Sequence, residues 1–281
     1  MQNIDCSHDS LPDACGNDMH EERLLERSRE NFFSRERNLL IACVVLVVAM
    51  NISTGQYLLY PFTIFSTWVH ECCHGFAAIL SGGYISKLQI FRNGSGLAYT
   101  ASRHRGFVAS AGYPGTAVTG CILLLFRRTT LGPTIGTIGI GAVMLLTCAL
   151  YVRDSFGAIV LPVEGIVLVL CGWKLPADIL DNLYNFLAAT CCLNAIENIH
   201  DLFASSQGYA GGQLMSSDAH TVSEIWGGDY RTWATLWLIM AIVLTGVGIV
   251  GARNAKPLPW LNHAPVPTEP SAPPAYQAHI V

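Results

Sequence analysis

The sequence predicts an all-α polytopic membrane protein of six to seven transmembrane helices, with a small membrane-associated β-hairpin. Three observations lead there. Of 281 residues, 51% are apolar and only 13% charged, against roughly 25% charged in an ordinary soluble domain. Mean hydropathy is positive, +0.39. The apolar residues also gather into runs approaching the roughly 20 residues that cross a bilayer. The same composition excludes a chain disordered over most of its length, and a net charge of −4 excludes a nucleic-acid binder.

Residues 1–37 form a polar, charged N-terminal tail with nine acidic residues and five arginines, and Glu21–Arg37 has the spacing of a solvated helix. A transmembrane domain follows over residues 38–253. Its first run, Leu39–Met50, reaches span length if Phe32 and Phe33 join it, and Asn51–Gln56 supplies a turn. The second, Tyr57–Leu80, ends at Gly82-Gly83. Short alternation between Ile85 and Thr100, around Asn93-Gly94-Ser95-Gly96, predicts the hairpin. Further spans are expected at Gly106–Phe126, Leu131–Val152, Phe156–Trp173, Ala177–Phe203 and Trp233–Ala252. The sixth is unusually polar, and residues 204–230 read as a Gly- and Ser-containing loop. Residues 254–281 form a Pro-rich tail, expected to be disordered.

With seven spans, Lys and Arg concentrate on the N-terminal side, eleven of the 16, so the N-terminus is expected to be cytoplasmic. Eight of the ten cysteines lie inside apolar runs and none forms a C-x-x-C pair. They read as small hydrophobes rather than a disulfide framework or zinc ribbon.

The second run contains His70-Glu71-Cys72-Cys73-His74. On a helix, positions i and i+4 share a face, so both imidazoles can meet one Zn²⁺ while Glu71 polarises water beside it. Three ionisable groups inside an apolar span cost several kcal/mol unless paired or bound to something. A catalytic zinc takes a third protein ligand, and the candidates are Asp201, Glu197, Glu164 and Asp218. Asp201, at the end of the polar sixth span, is preferred, and Asp218 is the alternative.

Pro61-Phe62, His70 to Gly75, and Ser81-Gly82-Gly83 together resemble the opening of the site-2-protease-like membrane zinc metallopeptidases, nearest to their short peptidase-like branch of bacteria, fungi and plants. Ala109 to Gly115 resembles that branch's following small-residue span, and Ser217-Asp218-Ala219 with Trp233 to Trp237 resembles its ending. The similarity covers about residues 60–240. It implies a zinc-dependent protease whose third ligand is an aspartate in an Asn-rich later span. Asn194 with Asp201 is similar in spacing, although Leu202-Phe203 stands where that family has glycine and no proline lies between them.

The expected function is therefore intramembrane hydrolysis of peptide bonds in membrane-spanning substrates, with Glu71 as general base. Two alternatives stay open: a metal-binding membrane protein without proteolysis, acting as client escort or metal carrier, and a ubiquitin-ligase adaptor. The adaptor reading rests on Pro273-Pro274-Ala275-Tyr276, a match to the Pro-Pro-x-Tyr ligand of WW domains. It requires a cytoplasmic C-terminus and hence six spans rather than seven. Gly112–Gly120 reads as helix packing, and the hairpin as either a covering loop or a strand that pairs with unwound substrate.

Overall fold

The computed structural model describes residues 37–49, 52–127, 129, 132–204 and 207–254. Residues 1–36 and 255–281, with the Pro273, Pro274 and Tyr276 motif and all but the last residue of the helix expected at Glu21–Arg37, lie outside the described residues. Nine helices and two hairpins follow in order among the described residues: α1 (Arg37–Ala49), α2 (Ser53–Leu80), β1 (Tyr84–Ile90), β2 (Gly96–Ala101), α3 (Arg105–Ala109), α4 (Gly112–Phe126), α5 (Gly132–Tyr151), α6 (Gly157–Lys174), α7 (Ala177–Ala204), β3 (Gln207–Ala210), β4 (Gln213–Ser216), α8 (Asp218–Trp226) and α9 (Tyr230–Asn254).

α2 is 28 residues long and stops where glycine allows a left-handed residue. Gly82 has φ +76°, and the Ser81, Gly82 and Gly83 N–H groups donate back to Ala77, Ile79 and Ala78 carbonyls. The chain then doubles back along the helix as an antiparallel hairpin, Leu88 opposite Ala98 and Ile90 opposite Gly96. Gly94 turns it at φ +83°, and Asn93 Oδ1 accepts from Ser95 N and Oγ. Thr67 Oγ1 donates to Gly94 O at 2.6 Å and Tyr60 OH to Arg92 O at 2.9 Å. These bonds strap the hairpin against α2. The outer edge of β1 is covered as well, because Arg153 N donates to Leu88 O and Ile90 N to Asp154 Oδ1.

Small residues set the helix contacts. A Cβ on Gly141 would stand 2.6 Å from Gly165 O, joining α5 to α6, and one on Gly120 would stand 2.6 Å from Cys192 Sγ, joining α4 to α7. Such approach is how helices associate in lipid, where apolar burial alone offers no driving force. α7 runs through the interior and buries Tyr184, Asn185, Leu187, Ala188, Cys191 and Cys192.

Among the described residues, Gly132–Tyr151, Gly157–Lys174 and Tyr230–Gly251 are long and apolar enough to cross a membrane, and α1 with α2 makes a fourth if that pair, bent by 118°, is one span. A count of six to seven is thus not shown. The expected third span breaks near Ser110 and Ala111 into α3 and a 15-residue α4, too short to cross straight. The expected sixth, α7, is more polar than these three helices. Residues 204–230, expected as a loop, hold β3, β4 and α8. Gly211 and Gly212 close the β3–β4 turn with φ +58° and +80°, the paired positive values that a two-residue hairpin loop favours.

Candidate metal centre

His70 and His74 stand one turn apart on α2, and their Nε2 atoms are 3.0 Å from each other. Asp218 reaches them from α8, its Oδ2 3.1 Å from each Nε2. Three ligand atoms thus form a nearly equilateral triangle. Among the described residues these three are the one group of His, Cys, Asp and Glu side chains able to hold a metal ion.

Each ring is oriented from behind. His74 Nδ1–H donates to the Val108 carbonyl of α3 at 2.7 Å, which fixes the tautomer and aims the Nε2 lone pair inward. The Tyr113 ring meets His70 edge-on, centroids 4.5 Å apart, and stacks in turn on Trp237 of α9. Gly112 must lack a side chain, because a Cβ there would lie 2.5 Å from both Nε2 atoms. The small-residue segment expected as packing therefore also makes room for the imidazoles.

Asp218 is the first residue of α8, whose N-cap Ser217 accepts a hydrogen bond from His220 N. At the far end Trp226 packs over Gly106 of α3, so α8 is tied to the element that orients His74. Burial raises the pKa of the Asp218 carboxyl, but the charges of His74 and His70 and the hydrogen bonds to them outweigh it. The carboxyl sits well below the usual carboxylate range.

Glu71 is buried beside the triangle, 6% exposed, and accepts a hydrogen bond from the Ala98 backbone on β2. The register explains this contact. Leu88 and Ala98 are opposite each other, and the Leu88 carbonyl faces outward to Arg153, as in a non-hydrogen-bonded pair. The Ala98 N–H therefore points outward too, at Glu71. Gly96, two residues along the same edge, lets the strand come close: a Cβ would lie 2.7 Å from Glu71 Oε1.

Of the carboxylates expected as third ligand, Asp218 joins the histidines. Glu164 lies within α6, outside that group, with Oε2 buried and without a hydrogen-bond partner. The side chains of Asp201 and Glu197 lie outside the described residues, so the preferred ligand is not placed. Sequence reasoning missed Val108, Tyr113 and Ala98. Two of these act through backbone atoms that carry no residue signature, and Tyr113 is one aromatic among many.

No curated protein and no solved structure matches the chain. The model of the Peptidase M50B-like family matches residues 40–248. With its histidine pair, its carboxylates and most of its length inside that match, the chain belongs to the Peptidase M50B-like family, a site-2-protease-like group of metallopeptidases.

Proposed function

We propose that this protein is an intramembrane zinc metalloprotease that hydrolyses peptide bonds of membrane-spanning substrates. The observation that carries this reading is the convergence of His70, His74 and Asp218 with Glu71 beside them. The donor set fits zinc. Sides of 3.0, 3.1 and 3.1 Å approach the roughly 3.3 Å edge of a tetrahedron with bonds of about 2.0 Å. Two imidazole nitrogens and a carboxylate oxygen that converge on one point are donors of the kind zinc takes. Zinc, when bound, supplies a Lewis acid that polarises a carbonyl and makes water acidic near neutrality.

The chain's own residues do the rest. Glu71 takes a proton from the attacking water and later delivers it to the leaving amine. Its place in a buried site, held by the Ala98 N–H, aims one carboxylate oxygen while leaving the other for the proton. Asp218 stays ionised and balances the charge between the imidazoles. A substrate helix hides its carbonyls in internal hydrogen bonds, so it must unwind before attack, and Gly- or Pro-containing spans unwind most readily. The outer edge of β2, next to Glu71, offers backbone groups to such an extended segment. The Lys and Arg distribution supports a cytoplasmic N-terminus.

The test is Glu71→Gln in purified protein with a helical membrane substrate. The variant keeps stoichiometric zinc and loses proteolysis by roughly 10²–10⁴-fold. Unchanged cleavage removes Glu71 from its role. Stoichiometric zinc in the wild type with no turnover favours the non-proteolytic alternative.

A further inference from the structure

α2 has a second face. Cys72 and Phe76 lie roughly half a helical turn around from His70 and His74, and with Trp68 they line a groove of about 470 Å³ against α5 and β1. Its opposite wall includes Gly139, Val143 and Thr147. These belong to α5, one of the helices long and apolar enough to cross a membrane, so the groove opens at the depth of lipid chains.

Trp68, Cys72 and Thr147 in this groove are hydrogen-bonded. Trp68 Nε1–H donates to Thr147 Oγ1 at 2.9 Å, the Thr147 hydroxyl donates to Met144 O at 3.1 Å, and Cys72 hydrogen-bonds with the same threonine. An occupant therefore meets mostly hydrocarbon. Size then separates the remaining occupants. A substrate helix is about 10 Å across with a pitch of 5.4 Å, so 470 Å³ holds little more than one turn of it. One extended acyl chain suits the volume and the lining.

We propose that the groove is an acyl-chain site, in which one lipid chain lies along the back of the helical turn that carries His70 and His74. Gly139 marks the open part of the groove, since nothing lies within 4 Å of where its Cβ would be. A side chain at 139 grows into the lipid's space without displacing protein. Ile135, one turn earlier on α5, is exposed but does not line the groove.

The experiment uses the full chain in phosphatidylcholine vesicles containing a phospholipid with a photoreactive acyl chain, with cross-linked peptides mapped after irradiation. Wild type is labelled on the groove walls, at residues 65–79 and 139–151. Gly139→Leu cuts that labelling by roughly tenfold, the equivalent of about two displaced methylenes, while Ile135→Phe leaves it unchanged. Circular dichroism and the thermal unfolding midpoint in detergent report that each variant is folded. If Gly139→Leu does not fold, Val143→Phe fills the same groove and takes its place. Labelling spread evenly over all spans, or unaltered by the filling variants, shows annular lipid contact only and overturns the proposal. Neither readout depends on proteolysis, so the two readings fail independently.

Discussion

Asp218 Oδ2 lies 3.1 Å from His70 Nε2 across 148 residues of chain. A nine-residue helix, capped at Ser217 and tied by Trp226 to the glycine at 106, carries the carboxylate to the pair. This contact joins the two ends of the family match into one centre, and it sets the first expectation. Asp218→Ala loses zinc affinity by more than about 100-fold, since even outer-shell partners of a ligand are worth 10–100-fold. Asp201→Ala retains zinc. Metal analysis of both purified variants checks this, and loss of zinc in Asp201→Ala alone reverses the assignment.

Acid should erase part of Asp218's contribution to the metal-free protein. Its folded carboxyl lies below the ordinary value of about 3.9. The stability it contributes is therefore present above that ordinary value and is lost as pH falls through the folded one. Metal-free Asp218→Asn melts below wild type at pH 7, and the gap closes as the pH drops below about 4. Thermal unfolding in detergent across that range measures it, and a gap independent of pH argues for packing instead.

Gly112→Ala places a methyl 2.5 Å from both Nε2 atoms. Either α4 or the rings must shift, at a cost of about 1–3 kcal/mol, and zinc affinity falls although no ligand has changed. Titration with a competing chelator reads the loss. Wild-type affinity in this variant means that the rings sit farther from α4.

Gly96→Ala acts on the proton carrier rather than the metal. Its methyl meets Glu71 Cγ at 2.6 Å, so the carboxylate or the strand moves by a fraction of an ångström to an ångström. Zinc stays bound, and turnover falls by roughly 10²-fold, as for a 1 Å misplacement of a reacting group. Single-turnover cleavage beside metal content separates this outcome from one in which zinc is lost.

Much of the site was legible because it is local. The pairing of His70 with His74 follows from helical periodicity, and β1–β2 follows from alternation around Asn93 to Gly96. Other local signals were present but passed over: Gly211-Gly212 between two short extended runs, and Ser217 ahead of Asp218, mark the second hairpin and α8 by their turn and cap chemistry. The span count was less legible, for a different reason. Apolar composition does not tell a helix facing lipid from one buried among helices, and α7 shows the difference, with Tyr184 and Asn185 buried in protein rather than facing lipid.

By itself, then, the amino-acid order determined the membrane class, the helix bearing two imidazoles and a carboxylate, and the hairpin after it, since each depends on interactions between residues a few positions apart. Only the tertiary structure decided that Asp218 meets those imidazoles, that the Val108 carbonyl orients one of them, and that the Ala98 N–H faces Glu71. These contacts depend on how separate helices and strands approach one another. That approach is set by glycines and side-chain packing summed over the whole bundle, and no local pattern encodes it.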